Sequence, residues 1–228
     1  DRNLSIRIKA FDGNKIPSKT VTCAYFINET SNLPVLKMSA SENDIWSTTS
    51  GIYANPTKSW TKEINLSFFV DGKEEFNLDC GLSMFGSTGR YESKKSFKVK
   101  FRGKYGASSL NYKLFDNLDI NSFTDLVIRG GSQDWYFSGI RDELATSIAL
   151  DAETNMLVQS YRPVILYIND EYMGIYFYGN SPMGFEDLYI GSVTSTLVQS
   201  INILICIFVY IVFNPLRQII FINRHLIR

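Results

Sequence analysis

The stretch that decides the fold of this chain is Asp79-Cys-Gly-Leu-Ser-Met-Phe-Gly-Ser-Thr-Gly-Arg-Tyr-Glu-Ser-Lys-Lys-Ser-Phe-Lys-Val-Lys-Phe-Arg102. This stretch predicts a strand, a loop of small residues and a second strand. The second strand alternates strictly, with Phe97, Val99 and Phe101 on one face and serine, lysine and arginine on the other. This alternation indicates a strand that buries one face and presents a basic one.

The loop of small residues comprises Gly86, Ser87, Thr88 and Gly89, whose backbone N–H groups can approach an anion closely. A glycine loop followed by a lysine-bearing strand can hold a phosphate-rich ligand. The alternative is an ordinary hairpin with a solvated basic face. Lys98 is the better candidate for a phosphate contact because it lies mid-strand, and Lys95 is the second because it is nearer the loop.

Three further motifs follow the lysine-bearing segment Lys94-Lys-Ser-Phe-Lys-Val-Lys-Phe101. They are Leu126-Val-Ile-Arg-Gly-Gly-Ser-Gln-Asp134, Gly139-Ile-Arg-Asp-Glu-Leu-Ala145 and Pro163-Val-Ile-Leu-Tyr-Ile-Asn-Asp-Glu-Tyr-Met-Gly-Ile-Tyr176. In this order and spacing, the four motifs resemble the spore-coat protein H (CotH) kinase family, from about Leu33 to Tyr178.

The resemblance implies an atypical, secreted protein kinase with a kinase-like fold that uses ATP and a divalent metal, Mg or Mn. Its activity would be transfer of the ATP γ-phosphate to serine or threonine of exported or spore-coat proteins. Carried onto this sequence, the nucleotide-binding residues are Gly86, Gly89, Lys95, Lys98, Arg141 and Glu143.

A helix is predicted from Ser138 or Gly139 to about Ala152, with an apolar stripe at Ile140, Leu144 and Ile148. Arg141 either clamps a phosphate or forms an ion pair on the helix surface. Either Glu143 or its neighbour Asp142 orients a lysine, as in the kinase-lobe helix, or both only stabilise the helix dipole.

The predicted fold class is α+β, mainly antiparallel sheet with few helices and an atypical protein-kinase-like N-lobe. Residues 1–30 alternate like the last two strands of an immunoglobulin-like module of the chitobiase C-terminal kind. Residues 33–178 form the main, CotH-like domain, which we expect to be incomplete. No catalytic residue and no metal ligand can be assigned, because no second lobe with its aspartates is recognisable.

Residues 181–228 have a different composition, rich in isoleucine, leucine, valine and phenylalanine. The stretch 197–213 is a borderline candidate for a transmembrane segment. The alternatives are a buried helix or strand pair, and a frameshifted or recombined end, which we favour. We therefore expect a CotH-like domain truncated after its N-terminal part.

The net charge and the cysteine spacing give further indications about the function. The net charge is zero, which gives no indication of nucleic-acid binding, and the three cysteines have no metal-ligand spacing. We expect an extracellular or cell-envelope protein of a bacterium, with membrane association through the tail as one option. The alternative function is a non-catalytic cell-surface binding or adhesion module, which nucleotide binding would distinguish from a kinase-like domain.

Overall fold

The computed structural model describes residues 3–27, 31–131, 134–152 and 159–180. The chain divides into two units, of which the described residues are 3–27, 31–131, 134–140 and 159–180 in the first and 141–152 in the second. The predicted apolar tail 181–228, with its candidate transmembrane segment, lies outside the described residues. Among the residues that are described, no helix has both the length and the apolar character needed to cross a membrane.

The described elements follow one another in this order: β1 (Leu4–Ile8), β2 (Val21–Tyr25), β3 (Val35–Ser39), α1 (Glu42–Ile45), β4 (Thr61–Val70), β5 (Lys73–Phe85), a 3-10 turn (Thr88–Arg90), β6 (Ser96–Lys100), β7 (Leu110–Asn111), β8 (Ser122–Phe123), β9 (Asp125–Arg129), α2 (Arg141–Asp151), β10 (Tyr161–Ile168) and β11 (Glu171–Asn180). The prediction of an α+β protein with mainly antiparallel sheet and few helices is confirmed. The kinase-like N-lobe and the immunoglobulin-like character of residues 1–30 stay predictions.

Seven strands of the first unit close into a barrel in the order β10-β11-β9-β6-β5-β4-β3. Six of the seven neighbouring pairs are antiparallel. The seventh pair, β3 with β10, is parallel, with Val35 opposite Ile165 and Met38 opposite Ile168. Closure by this pair leaves these strands without a free edge.

The interior of the barrel is filled by alternate residues of every strand, as the period of two requires. The strand–loop–strand prediction is confirmed, because Phe85 pairs with Ser96 and Gly81 with Lys100 across β5 and β6. Cys80 packs in this interior as a small apolar residue, and burial raises the pKa of its thiol. Interior residues from the seven strands include Leu36, Leu66, Leu82, Phe97, Ile128, Leu166 and Tyr178.

The outside of the barrel carries a second, smaller apolar cluster under the N-terminal strand pair β1–β2. Phe26 packs its ring against Phe69 and Tyr167, with centroids 4.9 and 5.4 Å apart. Asn77 donates its side-chain amide to the carbonyl of Thr22 at 2.9 Å. Strand β3 is therefore buried on both faces, because the barrel core lies inside it and this cluster lies outside.

Lys37 is the charged residue in this layer, and it is 0% exposed. Its Nζ lies 3.3 Å from Oδ1 of Asp170 and 5.2 Å from the centroid of the Phe26 ring. Burial lowers the pKa of Lys37, and the hydrogen bond and charge of Asp170 oppose that effect. The ammonium therefore depends on Asp170 for the stabilisation that water would otherwise give.

We predict that Asp170→Ala lowers the free energy of unfolding by about 1–3 kcal/mol, because it leaves a buried ammonium without its carboxylate. Lys37→Met should be neutral or stabilising, since the half-exposed carboxylate that remains can be hydrated. Urea unfolding measures the free energy of unfolding of both variants. The control is Asp170→Asn, which keeps a side-chain oxygen at position 170 but removes the negative charge. A larger loss in Lys37→Met than in Asp170→Ala would contradict this account of the pair.

Candidate functional site

One end of the barrel gathers four connections. Strands β3, β5, β9 and β10 finish there and β4, β6 and β11 begin there, which follows from the antiparallel pairs and the one parallel pair. The connections at this end are residues 40–60, 86–95, 130–140 and 169–170. We call this end the rim; residues 132 and 133 of the third connection lie outside the description.

The glycine loop, residues 86–95, is part of the rim. Gly86 has φ +90° with open space around a Cβ at that position, so the left-handed backbone alone requires glycine there. Gly89 is buried within the 3-10 turn. The amides of Arg90, Tyr91 and Glu92 donate to the carbonyls three residues earlier, at 3.1–3.3 Å. The loop therefore forms a closed turn from Ser87 to Glu92. Its exposed residues are 86–88, Tyr91 and Ser93.

Lys95 lies at the end of this loop and is 8% exposed. Its Nζ donates to the carbonyl of Arg90 at 2.8 Å and to that of Glu92 at 2.7 Å. The same ammonium lies 5.3 Å from the centroid of the Tyr53 ring. Burial lowers the pKa of Lys95, and the nearby charge of Glu92 raises it in part.

Lys98 lies on the outer face of β6, opposite Ser83 of β5 and Val127 of β9. Its Nζ is 3.9 Å from Oδ1 of Asp125, and the lysine side chain is 12% exposed. Asp125 also receives a 2.8 Å hydrogen bond from Arg102. The distance between the Lys98 ammonium and the Asp125 carboxylate is therefore long for a charge-assisted hydrogen bond.

The two candidate lysines do not share a face. Phe97 and Val99 point into the barrel, and Lys98 points out. Lys95 approaches Tyr53, whose ring contacts the interior residue Phe97 at 6.2 Å between centroids. A single bound phosphate group is therefore not expected to meet both side chains from the same side of the sheet.

The structure also brings to the rim residues that we did not predict as part of the site. Lys94 donates its Nζ to the carbonyl of Ile175 and lies 4.7 Å from the centroid of the Tyr176 ring. Tyr53 donates its hydroxyl to the carbonyl of Ser93. The aromatic residues around Gly51–Pro56 were the available signal for Tyr53, but nothing in the sequence indicates which loop it contacts.

Gly130 is held against the glycine loop by close backbone packing. A Cβ there would lie 3.0 Å from the carbonyl oxygen of Lys95 and 3.1 Å from that of Lys94. Its amide donates to Oγ of Ser96 at 2.9 Å. The Arg-Gly-Gly motif after β9 therefore packs directly on the start of β6.

Arg141 and Glu143 lie on helix α2, which belongs to the second unit. Glu143 is the buried residue of that helix, whereas Leu144 and Ile148 of the predicted apolar stripe remain about half exposed. The acidic residues Asp142 and Glu143 both occupy its first turn. The nucleotide-binding roles of Arg141 and Glu143 stay predictions.

The residues of the loop can be tested for their fit to a phosphate and to a metal. The Nε of Arg90 is buried and has no hydrogen-bond partner, so the loop carries a donor that an anion could satisfy. Within residues 3–27, 31–131, 134–152 and 159–180, no three histidine, cysteine, aspartate or glutamate side chains come together as metal ligands. The described residues therefore provide one unsatisfied donor that suits a phosphate group, and they bring together no cluster of side chains that would hold a metal ion.

Residues 82–182 match the family model of the CotH kinase proteins, which is somewhat under half of the chain. This segment is similar to the CotH kinases. The resemblance drawn from the four motifs is thereby confirmed over this range. The CotH-like segment begins on β5 just before the glycine loop and includes β6, β9, α2 and the hairpin β10–β11. No curated protein matches the chain.

We predict that Lys95→Met makes the free energy of unfolding rise less with pH than it does in the unaltered chain. The folded-state pKa of Lys95 is below its ordinary value of 10.5, so between these two values the unfolded chain binds more protons. Stability therefore rises with pH in that window, and the variant lacks this contribution. Urea unfolding at several pH values below 10.5 measures the slope, with the exposed rim residue Lys58→Met as the control. Equal slopes in all three proteins would contradict the prediction.

Proposed function

We propose that this chain is the nucleotide-binding part of a CotH-like atypical protein kinase domain. The family activity would be transfer of the ATP γ-phosphate to serine or threonine of an exported or spore-coat protein, outside the cytoplasm or in the cell envelope of a bacterium. The observation that carries the proposal is the family match over residues 82–182, which spans both the glycine loop and the lysine-bearing strand.

The proposed phosphate contacts come from the chain's own residues around β5 and β6. Gly86 and its neighbours are exposed at the rim, and the unpartnered Nε of Arg90 lies in the same loop. Lys98 is paired with Ser83, which precedes Gly86 by three residues, or about 10 Å along the strand. An extended polyphosphate is of the right length to reach from the loop toward Lys98.

When bound, ATP would supply the phosphoryl group. The chain's part is to position it, since phosphoryl transfer depends largely on positioning and charge stabilisation. The Lys98 ammonium would offset phosphate charge, and the loop would orient the chain of phosphates. The described residues offer no group of metal ligands, and we propose that this chain is inactive alone.

We predict that Lys98→Ala weakens ATP binding by about 1.5–3 kcal/mol, the usual contribution of a charge-assisted hydrogen bond, without unfolding the barrel. Isothermal titration calorimetry with ATP and Mg²⁺ or Mn²⁺ measures the effect. Lys100→Ala is the matched control, because Lys100 lies on the same face of the same strand but two residues farther from the rim. Unchanged ATP affinity in Lys98→Ala would remove Lys98 from the site.

We predict that this chain alone transfers no phosphate to itself or to casein. The reason is that the γ-phosphoryl group needs carboxylates that hold the metal, and we could assign none from the sequence. Incubation with radiolabelled ATP and Mn²⁺ tests this. Label incorporation that Lys98→Ala abolishes would show that carboxylates not assigned here complete the site.

Nucleotide binding also distinguishes this proposal from its alternative, a non-catalytic module for binding or adhesion at the cell surface. A kinase-like segment should melt at a higher temperature with ATP and a divalent metal, because a ligand that binds only the folded state stabilises it. No shift at millimolar ATP, together with no heat of binding, would favour the adhesion module.

A further inference from the structure

The loop that precedes β6 is folded around its own lysine. The Lys95 Nζ donates to the carbonyls of Arg90 and Glu92 at 2.8 and 2.7 Å, five and three residues earlier in the chain. An ammonium has three donors, so two of the three are committed to the loop's backbone. With 8% exposure, the group has little surface left for a ligand in this conformation.

Tyr53 supports this arrangement from a different rim connection. Its ring lies below the Lys95 ammonium at 5.3 Å, a separation at which a cation is attracted to an aromatic face. Its hydroxyl donates to the carbonyl of Ser93, and the amide of Lys95 hydrogen-bonds back to it. Burial raises the pKa of Tyr53 above its ordinary value of 10.0.

Together these contacts join three backbone carbonyls of the loop to two side chains. The carbonyls of Arg90, Glu92 and Ser93 all bond to the Tyr53–Lys95 pair. The amides of residues 90–92 bond to the carbonyls of residues 87–89, which closes the turn on its other side. Residues 86–88 are exposed in this conformation, as are Tyr91 and Ser93.

We propose that Lys95 is a positioning residue that, with Tyr53, holds the glycine loop in its ligand-accepting shape, and that it does not itself bind phosphate. The expected effect on nucleotide affinity rests on the proposed function. The role of Lys95 and Tyr53 in holding the loop does not depend on that function. It departs from the sequence-based assignment of Lys95 as a phosphate ligand and leaves Lys98 in that role.

The test is hydrogen exchange at the amides of Arg90, Tyr91 and Glu92, combined with ATP titration, in the full chain. Lys95→Met should increase the exchange rates of these three amides by about tenfold or more, because the loop loses two charge-assisted hydrogen bonds. Lys95→Arg should restore part of the protection, since a guanidinium also donates to carbonyls. Lys98→Ala should leave the three rates unchanged while it weakens ATP binding.

Tyr53→Phe provides a milder variant if Lys95→Met fails to fold. It removes one hydroxyl and keeps the ring, and we expect a rise of about threefold at the same amides. Unchanged exchange in both Lys95→Met and Tyr53→Phe would overturn the proposal, as would weaker ATP binding in Lys95→Met without faster exchange. Faster exchange in a chain whose unaltered form binds no ATP would support the positioning role and refute the proposed function instead.

Discussion

The parallel pairing of β3 with β10 is the constraint on which the rest of the described structure depends. Every other neighbouring pair in the barrel is antiparallel, and a hairpin or a short connection can form several of them. Val35–Ser39 and Tyr161–Ile168 must instead meet across more than a hundred residues. Such a contact forms against a large loop-closure entropy, so it needs the two-sided burial that β3 receives.

That two-sided burial explains why an N-terminal strand pair packs on the outside of the barrel. Without the Phe26 side of this layer, Phe69 and Tyr167 would lie exposed on the outer face. Lys37 is the exception in an otherwise apolar strand, and its position is held by one carboxylate and one aromatic ring. The closing pair and the N-terminal strands are therefore energetically coupled through β3.

The sequence predicts the strands well, because alternation along the chain is a local signal. The end of β5, the glycine loop and β6 follow the strand, loop and strand predicted for Asp79–Arg102. The closure of the barrel could not be predicted, since the local sequences of β3 and β10 do not indicate which distant strand each one pairs with. Lys95 is separated from Lys98 because it ends the loop and donates its ammonium to the loop's own carbonyls, whereas Lys98 lies on the outer face of β6. The burial of Glu143 in place of the apolar stripe of α2 has no local signal.

The glycines of the two motifs at the rim serve different physical requirements. Gly86 needs a left-handed backbone and has open space beside it, which suits a loop that a ligand approaches. Gly130 needs no special φ but lies against the carbonyls of Lys94 and Lys95, where a Cβ would come too close. The second motif therefore supports the first by backbone packing, and a change at Gly130 would reach the glycine loop through the peptide of Lys95. Two other rim connections therefore contact the glycine loop, through Tyr53 at the carbonyl of Ser93 and through Gly130 at the carbonyls of Lys94 and Lys95.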